Sequence, residues 1–248
     1  MKILGINCMN HDASMSVVDY SSGIGEVLWA AHAERYSKVK NDHYLNWHIV
    51  NEAMTYGPFD KVVYYEKPWL KKTRQLYAGQ WADAFSYTEM PQWHLDHFKI
   101  KIDEYVKHHD SHAAAGYFTS PFREATILTV DAIGEWDTVS ISTADKVWIE
   151  RKETIKYPHS IGILYSAFTH RCGLKPAEEE YILMGMAAYG EPKYKEDIYN
   201  DFVHQSPFKL KKNLHRGLSE WHPEADPMDL AASIQAVTEE CLADLWHR

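Results

Sequence analysis

His108-His109-Asp110-Ser111-His112 is the densest run of chemically capable side chains in this sequence. Residues four apart project from one face of a helix, so His108 and His112 could grip one metal ion through their imidazole nitrogens. Composition tempers that reading. With 15 His among 248 residues, about one such pair arises by chance, and a solvated or mutually hydrogen-bonded pair answers the same spacing. What favours a ligand site is position, because the run sits where a predicted strand ends and a helix starts. Asp131 closes a predicted apolar strand just ahead of Gly134, where the missing side chain permits close backbone approach. Its carboxylate could complete a mixed nitrogen–oxygen metal site, or could simply form the turn. His11-Asp12 is predicted at a hairpin tip, as a general base steered by a carboxylate or as an Asx-turn. Lys38 and Lys40 could attract phosphate or carboxylate groups, or could belong to a solvated face. No P-loop, Gly-x-Gly-x-x-Gly, nucleophile elbow or Cys-x-x-Cys occurs, so phosphate binding would have to use short strand–turn loops.

The elements that must position these residues belong to a soluble globular chain, 45% hydrophobic and 25% charged. Its length suits one large domain or two small ones. The formal net charge of −9 argues against a broad nucleic-acid surface. Cys8, Cys172 and Cys241 are too few and too dispersed for a disulfide scaffold or a thiolate zinc cluster. They point to a reducing, cytoplasmic setting. No apolar run approaches ~20 residues and the opening Met1-Lys2-Ile3-Leu4-Gly5 lacks a signal-peptide layout, so no membrane partner is expected.

Apolar runs and turn residues predict strands over 3–8, 14–19 and 26–31, a helix over 43–56 and a buried strand over 60–66. Residues 67–100 are rich in Trp, Tyr and Phe. They read as helices whose aromatic side chains either pack a core or form a stacking surface. A short strand over 104–107 leads into a helix over 108–118. The opening pattern then returns, with strands over 125–131, 137–142 and 147–152 around a turn at 132–136. Helices follow over 160–172 and 178–189, then a Lys/Pro-rich surface excursion over 190–218 and an amphipathic helix over 229–246. Two β-β-β units, each followed by α/β elements, establish a mixed α/β class.

Ordered segments spread along the chain carry a resemblance. Ile3-Leu4-Gly5-Ile6-Asn7 with His11-Asp12-Ala13-Ser14, and Ala33-Glu34-Arg35-Tyr36-Ser37, resemble the opening of the nodulation-factor and antibiotic O-carbamoyltransferases. His108-His109-Asp110-Ser111-His112-Ala113-Ala114 through Ser120-Pro121-Phe122 is similar to that family's HHxxHAA…SPF signature. Thr129-Val130-Asp131-Ala132-Ile133-Gly134-Glu135-Trp136 resembles its T-x-D-G-x-G-E-W turn, with Ala132 in place of the usual glycine. Gly162-Ile163-Leu164-Tyr165 and Met184-Gly185-Met186-Ala187-Ala188-Tyr189-Gly190 match later blocks.

The resemblance implies an actin/hexokinase-like (RNase H-like) duplicated fold, related to the subunit that transfers threonylcarbamoyl to tRNA. Mixed sheets would be flanked by helices, with a first subdomain over 1–122 and the start of a second over 123–248. It implies ATP and carbamoyl phosphate as substrates, carbamoyl-adenylate as intermediate, and a small hydroxyl-bearing molecule as acceptor. His108, His112 and Asp131 would hold iron or another divalent metal, and His11 would assist transfer. Lys38 or Lys40 would contact an anionic group, and Gly134 would lie on the nucleotide side. Members of that family typically exceed twice this length. Part of the second half, with its Gly-rich nucleotide loop, is therefore expected to lie in a separately encoded partner. Otherwise the chain is a non-catalytic fragment that binds metal or a partner.

Overall fold

A computed structural model describes residues 1–205, 207–215, 217–218 and 220–247. The chain divides into two compact units, Met1–His112 and Ala113–Arg248. In the first, β1 (Lys2–Asn7), β2 (Ser14–Asp19) and β3 (Glu26–His32) form an antiparallel meander. β4 (Lys61–Tyr64) and β5 (Glu104–Tyr105) extend the sheet on the other side of β1, running parallel to it. The resulting order, β3-β2-β1-β4-β5, is the ribonuclease H-like arrangement that the resemblance implies. Alternation buries Leu4 and Ile6 of β1 with Met15 and Val17 of β2. α1 (Glu34–Ser37) is a single turn after β3, and α2 (Trp47–Met54) adds Ile49, Val50 and Ala53 to the same core. α2 begins four residues later than its apolar spacing predicts. The Asn46 side chain accepts from the His48 and Ile49 backbone N–H groups and so caps the helix there.

Residues 67–100 form α3 (Pro68–Tyr77), α4 (Trp81–Phe85) and α5 (Pro91–Asp96). Pro68 and Pro91 stand in first turns, where no N–H is needed. Most of the aromatic side chains here are not core: Trp69, Tyr77, Trp81, Phe85 and Tyr87 are exposed. Helices this short bury little of their circumference, and the aromatic stripe faces outward.

The division between units falls within α6 (His108–Phe118). The second unit repeats the meander with β6 (Glu124–Gly134), β7 (Asp137–Asp145) and β8 (Trp148–Lys156). β6 runs beyond the turn expected at 132–136. Its ladder breaks after Val130↔Val139 and resumes at Gly134↔Asp137, so residues 131–133 bulge and the turn shrinks to Glu135-Trp136. α7 (Ile161–Arg171) and α8 (Glu180–Ala187) follow, and α10 (Pro227–Trp246) closes the unit after an Asp226 cap and Pro227. α10 buries Leu230, Ile234, Val237, Cys241 and Leu245 along one stripe.

The expected surface excursion over 190–218 is instead part of the packed unit. It holds α9 (Lys195–Phe202) and the paired β9 (Val203–His204) and β10 (Lys209–Leu210). Ile198, Phe202, Val203, Phe208, Leu210 and Leu214 are all buried. Its lysines obscure this because they serve as ties. Lys193 Nζ pairs with Asp229 at 2.6 Å and Lys195 Nζ with Glu240 at 2.9 Å, both on α10. The Glu191 and Tyr194 N–H groups donate to Asp229 Oδ1 and Ser233 Oγ of the same helix. No helix among the described residues is long and apolar enough to cross a membrane.

Gly190 lies where this segment meets α10. A Cβ there would stand 2.1 Å from the Met228 carbonyl oxygen and 2.7 Å from the Asp229 nitrogen. Gly190→Ala is expected to lower stability by about 1–3 kcal/mol, with Tm falling about 2–4 °C per kcal/mol in a chain of this size. Gly116→Ala, inside α6 with nothing within 4 Å of the added carbon, is expected to be neutral or to gain up to about 1 kcal/mol. Scanning calorimetry of both variants checks the pair, and an unchanged Tm for Gly190→Ala would refute the close approach.

Candidate functional site

The first unit assembles its polar cluster at the end of parallel strands β4 and β5, where open α/β sheets place ligand sites. β5 is followed after two residues by α6, so the first turn of that helix faces residues 65 and 66 beyond β4. Ser111 fastens the two together: its hydroxyl lies 2.7 Å from the His108 carbonyl and 3.1 Å from that of Tyr65. The Tyr65 ring packs edge-on against the His108 imidazole, centroids 5.2 Å apart.

The helix brings His108 and His112 together, with Nε2 atoms 2.9 Å apart. A metal held at about 2.0–2.1 Å by each nitrogen, at right-angled to tetrahedral bond angles, separates them by about 2.9–3.4 Å. The donor pair therefore fits a divalent ion, and the same distance suits an N–H···N hydrogen bond. Behind His108, on the Nδ1 side, lies Glu66 Oε2 at 3.6 Å, and Lys71 Nζ is 3.6 Å from the other carboxylate oxygen. Both His108 and Glu66 are buried. Burial works to raise the Glu66 pKa, but the facing His108 ring and the Lys71 ammonium outweigh it and hold the carboxyl below its usual range. Sequence reasoning missed Glu66. The available signal was an acidic residue at the very end of a run read as a buried strand.

Asp131 belongs to the second unit, in the bulge of β6, where its Oδ1 accepts from the Ala132 N–H at 2.6 Å. Ser160, fully buried, donates to the Ala132 carbonyl at 2.7 Å and accepts from the Ile163 N–H, capping α7. Gly162 lets α7 approach this segment: a Cβ there would stand 2.8 Å from the Ala132 Cα and nitrogen. Ala132 itself is exposed in strand conformation, so this backbone does not require the glycine its position suggests. Gly134 closes β6 opposite Asp137, and the left-handed residue is its neighbour Glu135, at φ 61°.

His11 and Asp12 do come together. His11 Nδ1 is 2.7 Å from Asp12 Oδ2, while the imidazole side chain is 67% exposed. The loop is held firmly. Met9 and Ala13 donate backbone bonds to His43 and Asp42, Asn7 Nδ2 donates to the Asp12 carbonyl, and Met9 and Asp12 adopt positive φ. Lys38 is an exposed left-handed cap of α1 whose Nζ donates to the Arg35 carbonyl at 2.7 Å. Lys40 is exposed in the following segment. The cysteines are poor nucleophile candidates. Burial pushes the Cys8 thiol up to about 12, and Cys172 and Cys241 up to about 11, so thiolate is scarce near neutral pH.

Residues 93–247 match the family model for the carbamoyltransferase N-terminus. The chain is similar to the uncharacterized protein sll1178 of Synechocystis sp., 31% identical, with 99% of this chain and 48% of that protein covered. It is also similar to the nodulation protein NolNO of Sinorhizobium fredii, 30% identical over 72% of this chain and 28% of that protein. The chain thus spans about half the length, or less, of these curated relatives. Among solved structures, the PPX-GPPA enzyme of Aquifex aeolicus aligns with 98% of this chain and 90% of its own. Identity is 11% and the TM-score 0.37, a likeness too distant to add to the argument.

Because Ser160 both caps α7 and anchors the Asp131 bulge, Ser160→Ala is expected to lower stability by roughly 1–2 kcal/mol. Urea unfolding measures it as a lower midpoint at unchanged slope. A midpoint equal to that of the parent would show that the buried hydroxyl does neither job.

Proposed function

This chain belongs to the carbamoyltransferase family, and from that premise we propose that it carries the part of a carbamoyltransferase that passes the carbamoyl group to a hydroxyl. The donor in this reading is carbamoyl-adenylate, made from carbamoyl phosphate and ATP, and the acceptor is a small hydroxyl-bearing molecule. The observation that carries the proposal is the His108–His112 pair, whose convergent nitrogens suit a divalent metal and lie inside the segment matching the family. We assign His108, His112 and Asp131 as ligands of that metal, iron in the first instance. When bound, it supplies a Lewis acid that polarises the carbamoyl carbonyl.

The remaining work falls to side chains. Asp12 accepts from His11 Nδ1–H and so leaves Nε2 as the basic edge. As the acceptor oxygen bonds to the carbamoyl carbon, Nε2 takes the hydroxyl proton. The bond from that carbon to the adenylate phosphate oxygen breaks, and AMP leaves with the electron pair. Lys38, by exchanging the Arg35 carbonyl for a phosphate oxygen, gives that leaving anion a cationic contact. Gly134, which closes β6 opposite Asp137, is assigned to the nucleotide side. A C-terminal half is the proposed partner in forming the adenylate, and a cytoplasmic setting suits the three scattered, free thiols.

The test is metal content and transfer measured together. Anaerobic reconstitution with Fe²⁺ is expected to give near one ion per chain, and His108→Ala or His112→Ala to weaken retention at least tenfold. His11→Ala is expected to keep the metal while slowing transfer from supplied carbamoyl-adenylate by about 10²–10⁴-fold. A reconstituted chain that retains no ion would overturn the metal assignment. Full metal loading with no transfer, even with a C-terminal half added, would favour a binding role instead.

A further inference from the structure

Ligation through Nε2 uses one edge of the His108 ring, and the ring has a second nitrogen-bearing edge behind it. That second edge faces Glu66, which is buried although it is ionisable, and which sits immediately beyond β4 rather than on the helix carrying the histidines. Burying a carboxylate is costly unless it meets partners, and Glu66 meets two, the His108 Nδ1 edge and the Lys71 ammonium at 3.6 Å each. Lys71 stands in α3, one turn beyond the Lys67–Pro68 start of that helix, so the carboxylate is approached from two different elements.

We propose that Glu66 is a positioning residue for His108: it selects the tautomer with the proton on Nδ1, so that the Nε2 lone pair is committed to the edge shared with His112. Lys71 offsets the buried carboxylate's charge. The proposal rests on the metal reading only for its consequence; the tautomer exists with or without an ion.

Two features support it. The 2.9 Å spacing of the two Nε2 atoms is useful to a cation only if neither nitrogen carries a proton, and a carboxylate on the far edge enforces that for His108. The Tyr65 ring, edge-on to the imidazole, hinders it from turning over, and the Ser111 hydroxyl, within reach of the Tyr65 and His108 carbonyls, holds the helix start against the end of β4. At 3.6 Å the Nδ1···Oε2 contact is longer than a made hydrogen bond, so the proposed role requires the carboxylate to close on the ring.

Two measurements on the full chain decide it. In the metal-free protein, nitrogen-15 imidazole spectra, with His108→Gln used only to assign the His108 signal, are expected to show the Nδ1–H tautomer. Glu66→Ala shifts it toward a mixture, and Glu66→Gln, which keeps a neutral acceptor, shifts it less. Competition of Fe²⁺ or Co²⁺ against a chromophoric chelator is expected to show affinity falling 10–100-fold in Glu66→Ala, with Glu66→Gln intermediate and its thermal unfolding unchanged. An Nε2–H tautomer in the parent, or an unchanged tautomer in both variants, overturns the proposal. So does an affinity within twofold of the parent. A parent that binds no metal overturns the metal reading alone, because the tautomer result still decides the role of Glu66.

Discussion

Two unprotonated imidazole nitrogens cannot rest 2.9 Å apart with their lone pairs opposed; a proton or a cation must lie between them. The first turn of α6 imposes that demand, since residues four apart on a helix have no freedom to separate unless a ring rotates. The surrounding structure in the first unit resists rotation. Tyr65 packs the ring edge, Ser111 ties the helix to the end of β4, and Glu66 occupies the far side. A bare pair would be an unremarkable surface feature. Here an exposed His112 is backed by a buried His108 and a buried carboxylate, an arrangement that a folded chain maintains at a cost, because His108 and Glu66 have left water.

The blocks that make the chain recognisable as a family member are of two physical kinds. His108 and His112 carry donor atoms. Gly162 and Gly190 carry nothing, and matter because two backbones pass so closely that a methyl group has no room. The first glycine lets α7 lie against the bulge that bears Asp131, and the second lets the segment before α9 lie against the start of α10. A match at such positions speaks for the packing of the second unit, not for chemistry. The converse holds at Ala132, where the backbone is strand-like and exposed, so a side chain is accepted without strain.

Much of this fold was legible because its strands and helices are local patterns. β2 and α6 lie where alternation and spacing put them, and α10 is announced by Asp226-Pro227 and its apolar stripe. What escaped is what depends on distant partners. Lysine and proline between 190 and 218 suggested solvent, yet Lys193 and Lys195 are bonded to carboxylates of α10, more than 30 residues on. The aromatic run in α3 and α4 suggested a core, yet short helices cannot enclose it. In the site, the His108–His112 pairing follows from helix geometry alone. Glu66 does not: it lies 42 positions before His108 and meets it only because β4 and β5 are parallel neighbours.

Environment separates histidines that composition cannot. His11 and His108 each have a carboxylate on the Nδ1 side, so tautomer preference alone would suit both for the same task. They differ in solvent access. The His11 side chain is 67% exposed and that of His108 8%. A proton acceptor in group transfer must reset by exchanging its proton with water, which an exposed ring on a rigid loop does freely. A metal ligand benefits from the opposite, because excluded water neither competes for the ion nor screens its charge. In the proposed reading this contrast suits His11 to proton transfer and His108 to ligation, with His112 on the solvent side of the pair.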